Sequence, residues 1–420
     1  MQGYQEHHSH PSYLRKRKPH ISDSLPFHKA CAYHADVFGS LRTYIVVSKS
    51  ISTTPALEAL RSALGATKIA GIRYGITSHS PWEDVFELTE AIQAADADLI
   101  ITLGGCSITD AVKLARLFVP NNVSTVSGAE KLFAKIRAGE FVEPAAIPVI
   151  NVPTTLSGSE FTCAGGATDS NTGHKLVTMH KSMYADVVIL DPRLSFGTPR
   201  KVWLSTGVRA IDHFIEGLYG NAAALFIDMH EELGIEVDKD IENIIVRALG
   251  NLLTSLLSIK NNWDDEKARL RAFMSVQECH RAGFNGIGAS HGIGHQLGPL
   301  GVGHGETSCI ILPWVLRYNW NHGSETLRRR LELATATFWE QENVAESLRS
   351  AGLISQEAEL CDVVGTYINC LGLPRTLGEF SIKYEHLEGL AESAMKDWCT
   401  KVNPVPLNKD SVLEILHSAA

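Results

Sequence analysis

Three histidines lie within a stretch of fourteen residues in a glycine-rich part of this 420-residue chain. His291 and His295 are four residues apart, so on a helix they would share one face. His304 follows the segment Gly301–Gly305, whose glycines can turn the chain back toward the other two histidines. Because imidazole nitrogens bind metal ions and transfer protons near neutral pH, the segment predicts a metal site, a proton relay, or both.

A second set of polar side chains has the spacing of one helix face. Arg209 and His213 are four residues apart within Gly207–Tyr219, and Glu216 follows one turn later. Taken alone, this spacing favours a solvated Arg209 and a half-buried His213, because an unpaired buried cation is costly.

Two loops that could hold a phosphate group follow predicted buried strands. Ala97–Leu103 is nearly all apolar, as in a strand buried on both faces of a parallel sheet. It leads into Gly104 and Gly105 and then a helix start, where free backbone N–H groups at the positive end of the helix dipole suit an anion such as a dinucleotide pyrophosphate. Ile147–Val152 is the next such strand, and Pro153–Glu160 follows it. Hydroxyls that could hold ribose and phosphate oxygens stand in that loop at Thr154, Thr155, Ser157 and Ser159.

Strand and helix patterns alternate in the first half of the chain, whereas helical patterns dominate after Pro192. We therefore predict an α/β dinucleotide-binding domain over residues 31–193, a helical catalytic domain over 194–420, and a poorly ordered tail over 1–30. The cleft between the domains is the expected place for chemistry. The predicted strands are Leu41–Val47, Ile69–Tyr74, Ala97–Leu103, Ile147–Val152 and Val187–Asp191, with a further strand from Lys175. The predicted helices are Pro55–Leu64, Trp82–Ala95, Thr206–Tyr219, Glu231–Ile259, Asp265–Gly283, Leu327–Glu340, Asn343–Ala351 and Gln356–Cys370.

Composition narrows the class of partner. The net charge of -9 disfavours nonspecific binding to nucleic acid or an anionic membrane, so small molecules and further copies of the chain are the expected partners. The eight cysteines are scattered without a CxxC pair, which is typical of reduced thiols in a cytoplasmic protein. No apolar stretch is long enough to span a bilayer. The basic run Arg15–Lys18 could be a targeting signal, although a solvated tail is the more common reading.

Considered together, these segments resemble the iron-containing alcohol dehydrogenase superfamily. The pattern of that superfamily includes a GGGSxxDxxK loop, a PTTxGSG-type loop, a GxDAxxHAxExY helix and a GxxHxxxHxLG helix that ends in a PHG-type turn. Here they correspond to Gly104–Lys113, Pro153–Glu160, Gly207–Tyr219, Gly288–Gly298 and Gly303–Gly305. The resemblance implies an α/β Rossmann-like nucleotide-binding domain followed by an all-α domain, the dehydroquinate synthase-like fold, and a homodimer.

Several details are similar to one branch, the maleylacetate reductases. They include His79–Pro81 after the second strand, the PTTLSGSE form of the hydroxyl loop, Thr172–Gly173, the HFIEGLY helix and the turn Gly305–Thr307. By this resemblance His213, His291 and His304 match three of the four metal ligands, and His295 matches an additional cleft histidine. The residues that would hold a nicotinamide cofactor are Ser48, Gly104, Gly105, Ser107, Asp110, Thr154, Thr155, Ser159 and Lys175.

Two positions depart from the superfamily pattern. Arg209 stands where metal-using members have the aspartate ligand, and a guanidinium repels a divalent cation. The reductase branch is, by resemblance, metal-independent, so we predict that a metal is absent. Arg209 would then supply the fixed positive charge, either by binding a substrate carboxylate or by stabilising a developing oxyanion, while His295 or His213 delivers the proton. Cys106 replaces the third loop glycine and narrows the expected pyrophosphate site.

The function predicted from the sequence is an NAD(P)H-dependent reductase that acts on a carbonyl or conjugated carbonyl of a small polar or carboxylated substrate. Ser48 followed by Lys49 at the end of the first strand, without an acidic residue for the ribose hydroxyl, favours NADPH over NADH. Two alternatives remain. One is a non-redox use of the same fold, as a lyase, cyclase or isomerase or as a catalytically inactive regulator, and the other is a metal-dependent alcohol dehydrogenase.

Overall fold

The computed structural model describes residues 19–170, 175–219, 240–281 and 286–420. They divide into two compact units, the first ending at Thr198 and the second beginning at Pro199. The predicted boundary fell five residues earlier, after residue 193.

The first unit is built on a six-stranded sheet in which every neighbouring pair is parallel, in the order β1-β8-β5-β4-β2-β3. A separate antiparallel pair joins β6 to β7. The strands are β1 (His20–Ser22), β2 (Thr43–Val47), β3 (Ile69–Tyr74), β4 (Leu99–Gly104), β5 (Val149–Pro153), β6 (Ala164–Thr168), β7 (Lys175–Met179) and β8 (Val187–Ile189). The helices are α1 (Phe27–Val37), α2 (Lys49–Ser52), α3 (Pro55–Leu64), α4 (Trp82–Ala94), α5 (Cys106–Asn121) and α6 (Val126–Arg137).

The central strands are buried along their whole length. Every residue of β2, β4 and β5 is buried, which explains their nearly continuous apolar sequences. The chain passes from β2 outward to β3 and then returns to β4 on the other side of β2, after which β5 and β8 continue in that direction. The sheet order therefore reverses between β2 and β4, and in sheets of this kind ligands bind outside the carboxyl ends of the strands at that point.

The predicted tail was too long. Residues 1–18 lie outside the described residues, but His20–Ser22 pairs with β8 and Phe27–Val37 is helical. The polar composition before residue 31 hid both elements, because β1 has only three residues and the buried face of α1 carries Cys31 and His34 beside its apolar side chains. The predicted hairpin turn at Thr168–His174 falls largely on 171–174, outside the described residues.

The regular elements described in the second unit are all helical, as predicted. They are α7 (Arg200–Tyr219), α8 (Ile241–Asn261), α9 (Glu266–Arg281), α10 (Ala289–His295), α11 (His304–His322), α12 (Glu325–Glu340), α13 (Glu342–Ser350), α14 (Leu360–Cys370), α15 (Tyr384–Ala394), α16 (Trp398–Lys401) and α17 (Lys409–Ser418), together with short 3-10 turns. A core of buried apolar side chains joins α10, α11, α15 and α17.

Some helix bounds differ from the prediction. α7 begins at Arg200, six residues before the predicted start at Thr206, and α14 begins at Leu360 rather than Gln356. The predicted helix Glu231–Ile259 is described only from Ile241 onward. α11 is not among the predicted helices, because the glycines of Gly301–Gly305 predict a turn, whereas Gly303 is the N-cap residue of this helix. No described helix is both long enough and apolar enough to cross a membrane.

Candidate active site

Most of the residues proposed for the cofactor lie where β2, β4 and β5 end. Ser48 follows β2 and caps α2 through a hydrogen bond from Ile51 N to its hydroxyl. Gly104 ends β4, and its carbonyl accepts a hydrogen bond from Thr154 N at 3.1 Å, which joins the two loops. The loops therefore meet beside the reversal point of the sheet, the expected position for a dinucleotide.

The two loop glycines lie so close to neighbouring side chains that an added Cβ would be crowded against them. A Cβ at Gly104 would lie 2.6 Å from Ile108 Cδ1, and one at Gly105 would lie 3.0 Å from Thr155 Cγ2. Gly105 is also the N-cap residue of α5, so the unpaired N–H groups of the first turn of this helix lie beside these close contacts. The next residue is Cys106, and burial raises the pKa of its thiol to about 12.

Buried polar side chains connect the remaining cofactor candidates. Ser159 donates to Asp110 Oδ1 at 2.5 Å, and Lys175 Nζ lies 4.0 Å from Asp110 Oδ2. Ser107 lies in the first turn of α5, where its carbonyl accepts the hydroxyl proton of Ser80. With Thr155 beside Gly105, all nine candidates belong to the first unit, in the loops after β2, β4 and β5, in α5 and at the start of β7.

The sequence interpretation overlooked the role of Lys113, although this lysine ends the glycine-loop motif. Its ammonium group is buried and donates to Ser159 O at 2.5 Å, Ser159 Oγ at 3.0 Å, Thr162 Oγ1 at 3.0 Å and Ala164 O at 2.7 Å. Lys113 thus ties α5 to the hydroxyl loop and to β6. Beside it, burial raises the pKa of Glu160 to about 7, so this side chain titrates near neutral pH.

In the second unit, α7 and α10 bring a histidine pair and a glutamate together. His213 Nε2 lies 3.2 Å from His291 Nε2, and the two ring centroids are 4.1 Å apart. His213 Nδ1 lies 2.6 Å from the carbonyl oxygen of Gly286, and His291 Nδ1 lies 2.6 Å from Glu216 Oε2. Glu216 Oε1 accepts a hydrogen bond from Ser290 N at 2.9 Å.

These contacts determine where the protons are. A carbonyl oxygen only accepts, so His213 Nδ1 carries a proton, and in the neutral ring its Nε2 is then an acceptor. His291 must therefore present Nε2–H to His213, which leaves its Nδ1 to accept from a protonated Glu216. Burial, followed by the nearby Asp212, raises the pKa of Glu216 well above its usual value. Burial, followed by Arg209, lowers the pKa of both histidines. The three side chains form a neutral hydrogen-bonded relay.

Arg209 is buried beside this relay. The prediction of a solvated Arg209, which was based on the helical spacing alone, is therefore wrong. Its Nη1 donates to Ser308 Oγ at 3.1 Å and Thr307 Oγ1 at 3.4 Å, and lies 4.0 Å from Asp212 Oδ2. Asp212 Oδ2 also accepts from the hydroxyls of Ser290 and Ser308 at 2.7 and 2.6 Å. Although burial raises the pKa of Asp212, Arg209 and the two hydroxyls favour the carboxylate. Arg209 is thus held in place by a buried counter-ion.

His295 lies on the same helix as His291 but has different partners. Its Nδ1 is 3.0 Å from Oδ2 of Asp397, and Asp397 is the residue that precedes α16. The ring of His304, the first residue of α11, is nearly parallel to that of His295, with the centroids 6.2 Å apart. The predicted approach of His304 to the other histidines is therefore found for His295.

A divalent cation fits the histidine pair only in part. Two imidazole nitrogens bound at about 2.0–2.1 Å to a tetrahedral ion lie about 3.3 Å apart, close to the 3.2 Å between His213 and His291. His304, however, does not join them in a group of three ligand atoms within 4.8 Å among the described residues. The guanidinium of Arg209 also replaces the carboxylate that would neutralise the ion.

The neighbouring carboxylates do not complete such a centre. Asp212, Glu216 and His291 do offer three ligand atoms within 4.8 Å of one another. Asp212 Oδ2 is already shared by two serine hydroxyls, and both oxygens of Glu216 have partners. The donor set therefore does not fit the iron centre of the superfamily pattern.

The sequence interpretation did not identify Asp212, Ser290, Ser308 or Asp397. Asp212 stands beside His213, but the family pattern directs attention to the position of Arg209. Asp397 is 102 residues from His295 along the chain, and no local pattern joins them. The remaining partners are serines. Serine is common in helices, so its presence in the sequence does not indicate a functional site.

Two family models cover most of the chain. The model described as iron-containing alcohol dehydrogenase matches residues 27–192, and the C-terminal model of the Fe-containing alcohol dehydrogenase family matches residues 203–420. Dehydrogenase ALT3 of Alternaria alternata is 77% identical over 91% of this chain and 100% of its own length. Dehydrogenase FUM7 of Gibberella moniliformis is 50% identical over 99% of both chains.

More distant proteins share the fold. Maleylacetate reductase of Burkholderia cepacia is 27% identical over 91% of this chain and 90% of its own. The structure of sulfoacetaldehyde reductase from Bifidobacterium kashiwanohense in complex with NAD+ covers 96% of this chain and 97% of its own, with a TM-score of 0.76 at 19% identity. The structure of maleylacetate reductase from Agrobacterium tumefaciens covers 96% of this chain and 95% of its own, with a TM-score of 0.70 at 23% identity. The chain therefore belongs to the iron-containing alcohol dehydrogenase family, a family of oxidoreductases.

Proposed function

We propose that this oxidoreductase is an NAD(P)H-dependent reductase, similar to the maleylacetate reductases, that needs no catalytic metal. The observation that carries the proposal is the buried guanidinium of Arg209 beside His213 and His291. A fixed positive charge there suits a reaction in which a carbonyl or conjugated carbonyl becomes an oxyanion. The substrate class is a small polar or carboxylated molecule.

The contacts of Arg209 favour one of its two predicted roles. Nη1 is already engaged by Ser308 and Thr307, so a carboxylate cannot take up both terminal nitrogens without breaking those bonds. A guanidinium held in this way is better suited to stabilise a developing negative charge than to bind a carboxylate through two parallel hydrogen bonds.

The loops at the ends of β2, β4 and β5 support binding of a nicotinamide cofactor. Gly104 and Gly105 allow the neighbouring loops to approach closely, and Lys175 and the N-terminal end of α5 provide positive potential for phosphates. When bound, the reduced cofactor supplies the hydride. Ser48 and Lys49 favour NADPH, because no carboxylate there repels a 2′-phosphate. The sulfoacetaldehyde reductase structure was solved with NAD+, so NADH remains the competing cofactor.

His295 is the better of the two predicted proton donors. His213 donates from Nδ1 to Gly286 O, and its Nε2 is engaged by His291. The side chain of His295 is 22% exposed and has a carboxylate partner on Nδ1. It can therefore hold a proton and exchange it with a ligand, whereas proton release from His213 would disrupt the buried relay.

The first experiment is a fluorescence titration of purified, metal-analysed protein with NADPH and NADH, followed by absorbance at the nicotinamide band with maleylacetate added. We expect cofactor binding and oxidation after treatment with a chelator. Arg209→Ala should lower kcat/KM by about 10²–10³-fold, the usual effect of losing an oxyanion-stabilising group. Arg209→Lys keeps the charge and should lose less. Cofactor Kd should be unchanged in both variants, since Arg209 does not belong to the cofactor loops.

Other outcomes would contradict the proposal in different ways. Unchanged turnover in Arg209→Ala would show that the guanidinium does not stabilise the developing oxyanion. Loss of turnover on chelation, with recovery on adding iron or zinc, would indicate a metal-dependent alcohol dehydrogenase. Failure to bind either nucleotide would favour a lyase, cyclase or isomerase on the same fold.

We also propose that the protein works as a homodimer on small molecules, without nucleic acid or membrane partners. The net charge of -9 supports the exclusion of polyanions. Light scattering after gel filtration should give twice the chain mass of 45.9 kDa. The mass of a single chain would contradict the dimer.

A further inference from the structure

We infer that Asp397 is a positioning residue for His295. Its carboxylate accepts the Nδ1 proton of His295 and so makes Nε2 the nitrogen that exchanges a proton with the ligand. This inference rests on the proposed function for its catalytic consequence, but its structural part can be tested without a substrate.

The carboxylate of Asp397 is held at both oxygens. Oδ1 accepts a hydrogen bond from Cys399 N at 2.8 Å, which caps the short helix α16. Oδ2 lies 3.0 Å from His295 Nδ1 and accepts from Gln296 Nε2 at 3.3 Å. Because the cap fixes the carboxylate relative to α16, its second oxygen can fix the histidine ring on α10.

The chemistry of the pair decides which ring nitrogen carries the proton. An ionised carboxylate only accepts hydrogen bonds, so Nδ1 must be the donor. Burial alone would raise the pKa of Asp397, but the hydrogen bond and charge of His295, with the backbone N–H of Cys399, outweigh it and hold the pKa below its usual value. The neutral imidazole is thus the Nδ1–H tautomer, and its Nε2 carries the lone pair.

A second contact orients the plane of the ring. The rings of His295 and His304 are inclined by only 9°, with centroids 6.2 Å apart. The hydrogen bond to Asp397 limits rotation about the Cβ–Cγ bond, and the neighbouring ring limits tilting. These are the features of an imidazole held in one orientation for proton transfer.

A cation between the same side chains is the competing interpretation. His295, Asp397 and Cys399 offer three ligand atoms within 4.8 Å. A metal would need the lone pair of Nδ1 and the thiolate of Cys399. Burial, followed by the charge of Asp397, raises the pKa of that thiol well above its usual value. The direct hydrogen bond between His295 and Asp397 is therefore the favoured arrangement.

The substitutions must separate the bond to His295 from the cap on α16. Serine is as good an N-cap as aspartate, but its hydroxyl is too short to reach His295. Asp397→Ser should therefore keep the cap and lose the positioning bond. Asp397→Asn keeps the cap and the length but not the charge, and Asp397→Ala loses the cap as well.

The test without substrate is long-range ¹H–¹⁵N NMR of histidine-labelled holoprotein at alkaline pH, with the His295 signals assigned by their loss in His295→Gln. Wild type should show the Nδ1–H tautomer, and Asp397→Ser should shift it to Nε2–H. An Nε2–H tautomer in wild type would overturn the inference, as would an unchanged tautomer in Asp397→Ser. Tautomer signals that change on chelation would favour the cation.

The test with substrate is a double-mutant cycle. Asp397→Ser alone should lower kcat about 10- to 100-fold, as the loss of an orienting carboxylate does elsewhere, with cofactor Kd unchanged. In a His295→Gln background it should have little further effect, because the two residues act as one unit. Equal losses in both backgrounds would mean that Asp397 does not act through His295. If no protein oxidises the cofactor, the proposed function fails while the tautomer result still decides the positioning role.

Discussion

An arginine at the position of a metal ligand changes the electrostatics of the side chains around it. Arg209 is buried with Asp212 as its counter-ion, and burial, followed by the charge of Arg209, lowers the pKa of His213 and His291. Neutral histidines then require Glu216 to hold the proton that completes their hydrogen bonds. Arg209 therefore lies beside a relay whose three side chains, His213, His291 and Glu216, are neutral.

Glu216→Gln should be tolerated, because glutamine has the donors and acceptors of a protonated glutamate. Its oxygen can accept from Ser290 N and its amide can donate to His291 Nδ1. We expect the free energy of unfolding to change by less than about 1 kcal/mol, whereas Glu216→Ala leaves two buried groups unpaired at about 1–3 kcal/mol each. Chemical denaturation would show this, and equal losses in both variants would mean that Glu216 is ionised.

Glu160 should make stability depend on pH in the first unit. Its pKa is raised from 4.5 to about 7 by burial, so the folded chain binds more protons than the unfolded chain between these pH values. The stabilisation is complete below pH 4.5 and falls by roughly 3 kcal/mol as pH rises to about 7. Glu160→Gln should remove this part of the slope. Thermal midpoints of both proteins across the range would test it, and parallel curves would contradict it.

Close packing around glycines positions the short helix that carries two of the histidines. A Cβ at Gly292 in α10 would lie 2.1 Å from Thr400 Oγ1 and 2.5 Å from Thr400 N in α16. α16 begins after Asp397, the partner of His295. The separation of these two helices therefore sets the distance between the histidine and its carboxylate.

Gly292→Ala should push α10 away from α16. We expect a loss of about 1–3 kcal/mol from overpacking, together with reduced kcat. Gly389→Ala in α15 is the matched control, because no atom lies within 4 Å of its added methyl group. It should gain about 0.5–1 kcal/mol from helix propensity. Denaturation and steady-state kinetics of both variants test this pair, and an unaffected Gly292→Ala would show that the helices can separate without cost.

Each of the two units has its own hydrophobic core, and the proposed cofactor residues all belong to the first unit. A ligand stabilises the part of a protein that binds it. Calorimetry should therefore show a transition that NADPH raises and another that it leaves largely in place.

We expect about 2.7 kcal/mol of stabilisation for the first unit at a nucleotide concentration one hundred times Kd. Lys175→Ala should reduce this shift, because it removes the ammonium group beside Asp110. The control variant Lys131→Ala, at an exposed site on α6, should leave the stabilisation by the nucleotide unchanged. A single transition that moves as a whole would show that the two units unfold together.

The fold class and the segments that form the candidate loops follow from local sequence patterns. Strands buried on both faces must be apolar along their length, and glycines mark the places where backbones approach closely. Both features can therefore be recognised from short segments of the sequence. The bounds of Pro55–Leu64 and Ile69–Tyr74 were predicted to the residue. The family pattern then singled out Arg209, His213 and the three later histidines, and showed that arginine replaced aspartate.

The hydrogen-bond partners of these side chains depend on tertiary packing. Glu216 and His291 are 75 residues apart, and His295 and Asp397 are 102 residues apart. Hydrogen bonds over such separations depend on how helices pack, which neither periodicity nor spacing encodes. The prediction that Arg209 is solvated was wrong for the same reason. A cation is buried only where packing brings a carboxylate and hydroxyls to it. Proton positions, and therefore the division of roles among the histidines, follow from those contacts.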